Sequence, residues 1–495
     1  MNSSIHIAGN DSLKSLYGLH NVTTIGNSLR IVQNHQLKNL VGLEKLKIVW
    51  GIVEIYWNNE IENLTGLSSL YSIKSGLIVN NNQTISSFNG IDSLKEISGN
   101  VELAGNPSLP SLEGLEFIEQ LSGNLKILRN PLLKNFKGLD NLTKVGGILQ
   151  VLQNDSIRNF GGLDKLTAVE DDVLINGNLH LETFNGLEKL NYIGGRLTVS
   201  NNFKLVDFKG LSSLDYVDEE LLVNNNILLE SMEGLESLKT LGGSLNIYSS
   251  PLIKNLKGLS SLSRIVGGLG FVSNINLENF QGLENLKSIG GPFSVRNNGA
   301  ALRNCVGLSG LDSISNGILF SSNPGLESFT GLDKLQYLGE SLWIQGNFEL
   351  TNLDDLKNVQ SSDLSRIVIS QNIKLEECAI RMVCEGLQKP DISVSISSNS
   401  GACKDIPDVQ AQCQTVGTDE ILEAKITFSP NPVQSRFKIE GLNGGTIRLF
   451  DKQGKMVLED ATGHHEFNIE QLPAGLYLLS IQQGEVRLRK KLVKL

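Results

Sequence analysis

The sequence predicts an all-β protein: a right-handed parallel β-solenoid of 24-residue leucine-rich coils, then a cysteine-containing cap and a small C-terminal β-sandwich. Three observations carry this. An asparagine recurs at one constant spacing, at Asn10, Asn34, Asn58, Asn82, Asn106, Asn130, Asn154, Asn178, Asn202 and Asn226. The series runs on through Ser250, Asn274 and Asn298, slips by one residue to Asn323, reaches Asn347 and slips again to Asn372. A Gly-Leu pair keeps the same period from Gly18-Leu19 to Gly331-Leu332. Apolar residues also fall five and three places before each asparagine, as in Leu29 and Ile31, Leu125 and Ile127, Leu245 and Ile247. Such a fixed period marks a solenoid, whose single turns cannot bury an apolar face without neighbours.

The elements of one coil follow in order. The alternation before the asparagine is a half-buried strand, and the residues between, such as Arg30, Glu54 and Lys126, vary because that side faces water. Further apolar positions lie twelve and nine before the asparagine (Leu190, Ile193) and three and six after it (Leu205, Phe208). The Gly-Leu corner and pairs such as Gly146-Gly147 and Gly194-Gly195 supply the turns. No segment of a repeat is long enough for a helix, so the coil reads as short strands and turns. The asparagines are predicted to stack at the inner edge of a turn, where their amides bond backbone groups that the turn leaves unpaired. A residue repeated on every coil is architecture rather than catalysis.

The unit from Leu190 to Leu211, with leucines, isoleucine, asparagine, phenylalanine and the Gly-Leu corner at these offsets, resembles the receptor L domain. That family is a leucine-rich β-helix of receptor ectodomains and bacterial surface proteins. The resemblance covers about residues 5–375. It departs from the commoner leucine-rich repeat, because the slot three before the strand leucine holds Gly26, Trp50 or Lys74. The departure favours a β-helix over a helix-backed horseshoe.

The repeat is read as ending after Asn372, giving a solenoid over residues 1–375 and a cap over 376–415. Cys378, Cys384, Cys403 and Cys413 fall in that cap. Four clustered cysteines in a cysteine-poor chain predict two disulfides of undetermined connectivity and an oxidising compartment. Zinc fits less well, because the spacings lack close pairs. Cys305 takes a slot held by Phe280 and Phe329 in adjacent repeats, so it is predicted to be a buried free thiol.

Residues 421–495 read as a separate small β-sandwich. Its landmarks are Ser429-Pro430-Asn431-Pro432, the strand and turn from Ile447 through Gly454 to Val457, the turn from Leu472 to Tyr477, and the basic end Arg487 to Lys494. In this order they resemble the C-terminal sorting domain of the type IX secretion system. The resemblance implies a Bacteroidetes-type bacterium, a partner in the secretion machinery, and a secreted or cell-surface destination outside the outer membrane. Met1 to Asn10 contain no basic start, apolar core or cleavage site, so the chain is expected to lack its N-terminal signal. No run of apolar residues is long enough to predict a membrane span.

A net charge of −10 and a pI near 5.3 argue against nucleic-acid binding. The six histidines, His6, His20, His35, His180, His464 and His465, make no cluster with serine or cysteine, so no catalytic residue is assigned. No cofactor and no metal is implied. Glu170-Asp171-Asp172 and Asp218-Glu219-Glu220 lie two coils apart with Arg196 between them, which predicts an ion ladder of Asp172, Arg196 and Glu220. Exposed aromatics mark the candidate ligand face: Tyr56, Trp57, Tyr248 and Trp343, with Arg30, Glu54 and Asn80 near Tyr56. The function predicted is non-catalytic binding of a protein or glycan, an adhesion role at the cell surface. The alternatives are a polysaccharide-active enzyme, which needs carboxylates and a basic group on one face, and a structural surface spacer.

Overall fold

The computed structural model describes residues 3–360, 363–413, 427–440, 446–451, 455–460, 466–483 and 486–495. Gly454, His464, His465 and the start of the tail at 421–426 lie outside the described residues.

Each coil begins as its alternation dictates. In the strand Leu125–Leu128 the side chains of Leu125 and Ile127 are fully buried, while Lys126 and Leu128 are partly exposed. The strand pairs in parallel with Leu149–Leu152, so that Leu125 stands opposite Leu149 and Ile127 opposite Val151. Seventeen such strands, from Ile5–Ala8 to Ser393–Ser397, form one parallel sheet in chain order. Two-residue strands such as Lys144–Val145 form a second, narrower face in two sheets of four and ten strands. Between the faces runs one continuous leucine-rich core that includes Phe136, Phe160, Phe184 and Phe208, stacked at 5.3, 5.5 and 5.3 Å. Such aromatic pairs add about 0.5–1.5 kcal/mol each beyond their burial.

The asparagines form the inward column that their period predicts. The Asn178 amide oxygen accepts the Asn154 backbone N–H at 3.0 Å, and its amide nitrogen donates to the Val151 carbonyl at 3.0 Å, so each asparagine ties its coil to the one before. The Gly-Leu corner is obligatory at its glycine. Gly138 has a φ of 110°, and a Cβ there would lie 2.0 Å from the Leu112 carbonyl oxygen. Only a residue without a Cβ fits that approach.

The ladder runs one coil beyond the end read from the sequence period. Leu364–Ser370 pairs in parallel with Ser393–Ser397, and Asn399 accepts the Asn372 N–H at 3.0 Å. The α-helix Arg381–Gln388 is inserted between these strands, which lengthens the coil and hides its period. This helix and a further helical stretch at 406–413 make up the helical part of the cap. Disulfides join Cys378 to Cys403 and Cys384 to Cys413, with Cα separations of 5.5 and 5.4 Å. Cys378 lies six places after Asn372, the slot that Phe184 and Phe208 take after their asparagines, so it is buried in the core and this disulfide ties the cap to it. Cys305 is buried and unpaired, and desolvation pushes its thiol well above the usual range.

One coil interface is incomplete. Glu96–Ile97 ends the four-stranded sheet and Gln120–Leu121 begins the ten-stranded one, with no pairing between them. One coil further, Thr143 and Gly146 donate backbone N–H to Glu119 and Leu121 at 2.8 and 2.7 Å. The N–H groups of Glu119 and Ser122 find no such backbone acceptor among the described residues. Pro110 lies in the same coil. At its slot Glu62 and Ser86 donate to the preceding coil at 3.1 and 3.0 Å, and a proline has no N–H to give. A cleft of about 550 Å³ opens there beside Glu96, Phe117 and Gln120.

The tail is built on antiparallel pairing. Thr427–Ser429, Arg436–Glu440 and Glu466–Asn468 form one sheet. Met456–Asp460, Thr446–Phe450, Gly475–Gln483 and Val486–Lys494 form a second. Its core, including Phe437, Ile447, Leu449, Tyr477 and Leu492, is separate from that of the solenoid.

Candidate functional site

The aromatic residues singled out in the sequence stand on the outward side of the long sheet but not together. Tyr56 ends the strand Val53–Tyr56, and its ring stacks on Trp57 at 4.5 Å. The polar groups near it are engaged with one another: Arg30 pairs with Glu54 at 3.1 Å, and the Asn80 amide donates to Glu102 at 2.8 Å. Tyr248 lies eight coils away in the stack, too far to share a ligand-sized patch. Burial raises its phenol pKa above the ordinary value. Trp343 stands four coils further on, covered by the Arg366 guanidinium at 4.5 Å from the ring centroid, and its indole N–H donates to Gln345 at 3.0 Å. Only Tyr56 and Trp57 form a patch.

The carboxylates are disposed as ion pairs. Arg196 meets Asp172 at 3.6 Å and Glu219 at 3.5 Å, while Glu220 accepts the Asn246 amide at 2.6 Å. The expected ladder therefore closes on Glu219 rather than Glu220. Glu220 directly precedes the strand Leu221–Asn224, within reach of Asn246 on the next strand, whereas Glu219 lies one residue earlier in the turn. Glu170 is held by Lys144 at 2.7 Å, and Asp218 accepts the Tyr216 hydroxyl at 2.8 Å. Among the described residues no group of three or more His, Cys, Asp or Glu side chains is placed to hold a metal ion.

A further feature is set by the backbone and is not visible in residue types. The residue before most of the asparagines adopts the left-handed conformation: Gln33, Trp57, Asn81, Gly105, Arg129, Gln153, Gly177, Asn201 and Asn225 have φ between 53° and 68°. These residues form one column along a corner of the solenoid, and the residues after the asparagines form a second column beside it.

Between the two columns lies a groove of about 500 Å³ that crosses four consecutive coils. Arg129, Gln153, Gly177 and Asn201 make one wall. Pro131, Asp155, Leu179 and Phe203 make the other. The first wall is polar and the second mostly apolar, with Leu179 39% exposed. Gly177 causes the hollow, because its neighbours in the column carry side chains and it carries none. Asn201 is held in place: its amide nitrogen donates to Asn176 at 2.9 Å and its oxygen accepts from Asn225 at 2.7 Å. The side chains of Arg129, Gln153 and Asp155 make no hydrogen bond or ion pair among the described residues.

Part of the backbone along this corner is already paired. The N–H groups of Arg129, Gln153, Gly177 and Asn201 donate to Leu152, Asn176, Ser200 and Asn224 at 2.9, 3.0, 3.0 and 3.0 Å. The Pro131 and Asp155 carbonyls accept from Ser156 and His180 at 2.5 and 2.7 Å.

No helix among the described residues is long and apolar enough to cross a membrane. No curated protein matches the chain. Residues 427–495 match the family model described as the secretion system C-terminal sorting domain. The chain is thus a parallel β-solenoid carrying a type IX secretion C-terminal sorting domain, the mark of a secreted or cell-surface protein.

Proposed function

We propose that this protein is displayed or released at the bacterial surface and binds an extracellular protein or glycan there, without catalysis, through the groove over residues 129–203. The single observation that carries the reading is the groove itself: a hollow with one polar and one apolar wall, three unpartnered polar side chains, and a volume in the range of ligand sites. Its shape depends on Gly177, in a slot where the two adjacent coils place the side chains of Gln153 and Asn201. The sorting domain supports an extracellular setting for the ligand.

The test uses the same slot. Asn81, Asn201 and Asn225 adopt this left-handed conformation, so Gly177→Asn fills the hollow with a residue that the backbone accepts. A glycan and protein array probed with the full chain should give signals that Gly177→Asn abolishes. Mass analysis of the captured ligands should find them uncut. Signals that survive in the variant would remove the groove from the account, and cleaved ligands would favour the polysaccharide-active enzyme. An array without signal would favour a structural spacer.

A further inference from the structure

We infer that the ligand is a neutral linear glycan, and that it follows the corner of the solenoid from the groove to the Tyr56–Trp57 stack; this rests on the binding role proposed for the groove. Trp57 and the polar wall belong to the same backbone column. Trp57, Asn81, Gly105, Arg129, Gln153, Gly177 and Asn201 occupy one slot in seven consecutive coils, each with positive φ. Parallel pairing in register keeps that column continuous from coil to coil. Six coil steps of about 4.8 Å each separate Trp57 from Asn201, a span that an oligosaccharide of several residues can follow. Between Trp57 and Arg129, Asn81 carries a small side chain that lies over Gly105, and Gly105 carries none.

Trp57 is an unusual occupant of this slot. A bulky residue in the left-handed region is disfavoured, and Asn81, Asn201, Asn225 and Asn297 show that the coil is built equally well with asparagine. The indole is 44% exposed and is held against Tyr56, so it offers a rigid apolar face to solvent. Local structure does not account for a tryptophan here, whereas a surface for stacking does.

Three observations favour a glycan over an extended peptide. A peptide docking as an added strand gains its affinity from main-chain hydrogen bonds, and the N–H groups of Arg129, Gln153, Gly177 and Asn201 are already committed to the next coil, so the first wall offers a peptide no backbone donors. A sugar ring has an apolar C–H face and a rim of hydroxyls. That matches an apolar wall of Pro131, Leu179 and Phe203 facing a polar wall of Arg129, Gln153 and Asn201. A carboxylate accepts hydrogen bonds from neighbouring hydroxyls and a guanidinium donates to them, which gives the unpartnered Asp155 and Arg129 a shared use. Their opposite charges cancel within the groove, and the chain carries a net charge of −10. A polyanionic glycan would be repelled by that charge, so the neutral class fits.

The test is calorimetric titration of the full chain with cello-, manno- and xylo-oligosaccharides of increasing length, beside a set of extended peptides. Three variants are compared: Gly177→Asn and Leu179→Ser in the groove, and Trp57→Asn at the far end. Thermal melting of each establishes that it is folded. At least one oligosaccharide series should bind, with affinity rising with length, and both groove variants should weaken every length about tenfold or more. Trp57→Asn should weaken only those chains long enough to extend beyond the groove. An equal effect of Trp57→Asn at all lengths, or none at any, would overturn the track. Binding of peptides alone, still sensitive to Gly177→Asn, would overturn the glycan and leave the groove as the binding site. Binding of either class that ignores both groove variants would overturn the groove and the track together.

Discussion

At the scale of single residues, the asparagine column shows how much one side chain holds. Asn178 satisfies a backbone N–H in the coil before it and a carbonyl in the strand of that coil, both buried. Asn178→Ala leaves both groups unpaired, at about 1–3 kcal/mol each, so a loss of about 3 kcal/mol or more is expected in denaturant titration. Ser250 is the natural counter-example. Its hydroxyl bonds only Tyr248 of its own coil at 3.1 Å, and the Asn226 backbone N–H finds no acceptor among the described residues, where every nearby coil has one. Ser250→Asn is therefore expected to restore the missing link and raise stability by about 1 kcal/mol. A neutral result at both positions would mean that the column is not what joins the coils. The Arg196 pairs belong at the other end of the range. Arg196 is half exposed. Such pairs contribute about 0–1 kcal/mol.

At the scale of elements, the coil interface beside Pro110 is the weakest joint that the hydrogen bonding reveals. It keeps the strand pairing of Leu77–Asn80 with Val101–Ala104 and the Asn82–Asn106 link, but loses the short-strand pairing. Amide protection follows the free energy of local opening, which is lowest where few backbone groups are paired. The amides of Glu119 and Ser122 are expected to exchange faster than those of Thr143 and Gly146, their equivalents one coil on. Equal protection would show the interface to be closed. The last coil is managed differently. There the period is lost to an inserted helix, and two disulfides hold an end that has no further coil to cover it.

At the scale of the whole molecule, the solenoid is a one-dimensional stack in which each coil contacts only its neighbours, while the tail keeps a core of its own. Delivery and folding should therefore separate. Removing residues 421–495 from a chain supplied with an N-terminal export signal is expected to abolish surface display in a bacterium with the type IX system. The melting temperature of the solenoid should not change. Lys490 and Lys491 on the terminal strand should matter to export more than to melting, since charges at the surface contribute little to folding. Display of the truncated chain would remove the sorting role, and a lowered melting temperature would show the two cores to depend on each other.

The sequence by itself determined the period, the strand before each asparagine, the inward asparagine column, the glycine corner, the buried Cys305 and the four ordered motifs of the tail. In a solenoid the residue one period away is also the spatial neighbour, so a pattern along the chain already describes packing between coils. Tertiary structure decided the rest. Arg129, Gln153, Gly177 and Asn201 share no residue type, only a left-handed backbone and a common corner, so nothing in their spelling marks a wall of a groove. Tyr56 and Trp57 were legible as aromatics on the outer side, with Trp57 exposed and Tyr56 partly buried, yet only the shared left-handed column links Trp57 to that groove. The partner of Arg196, the cysteine pairing and the extra coil under the inserted helix all depend on where side chains and insertions project at turns. There the period no longer fixes direction, and contact in space decides.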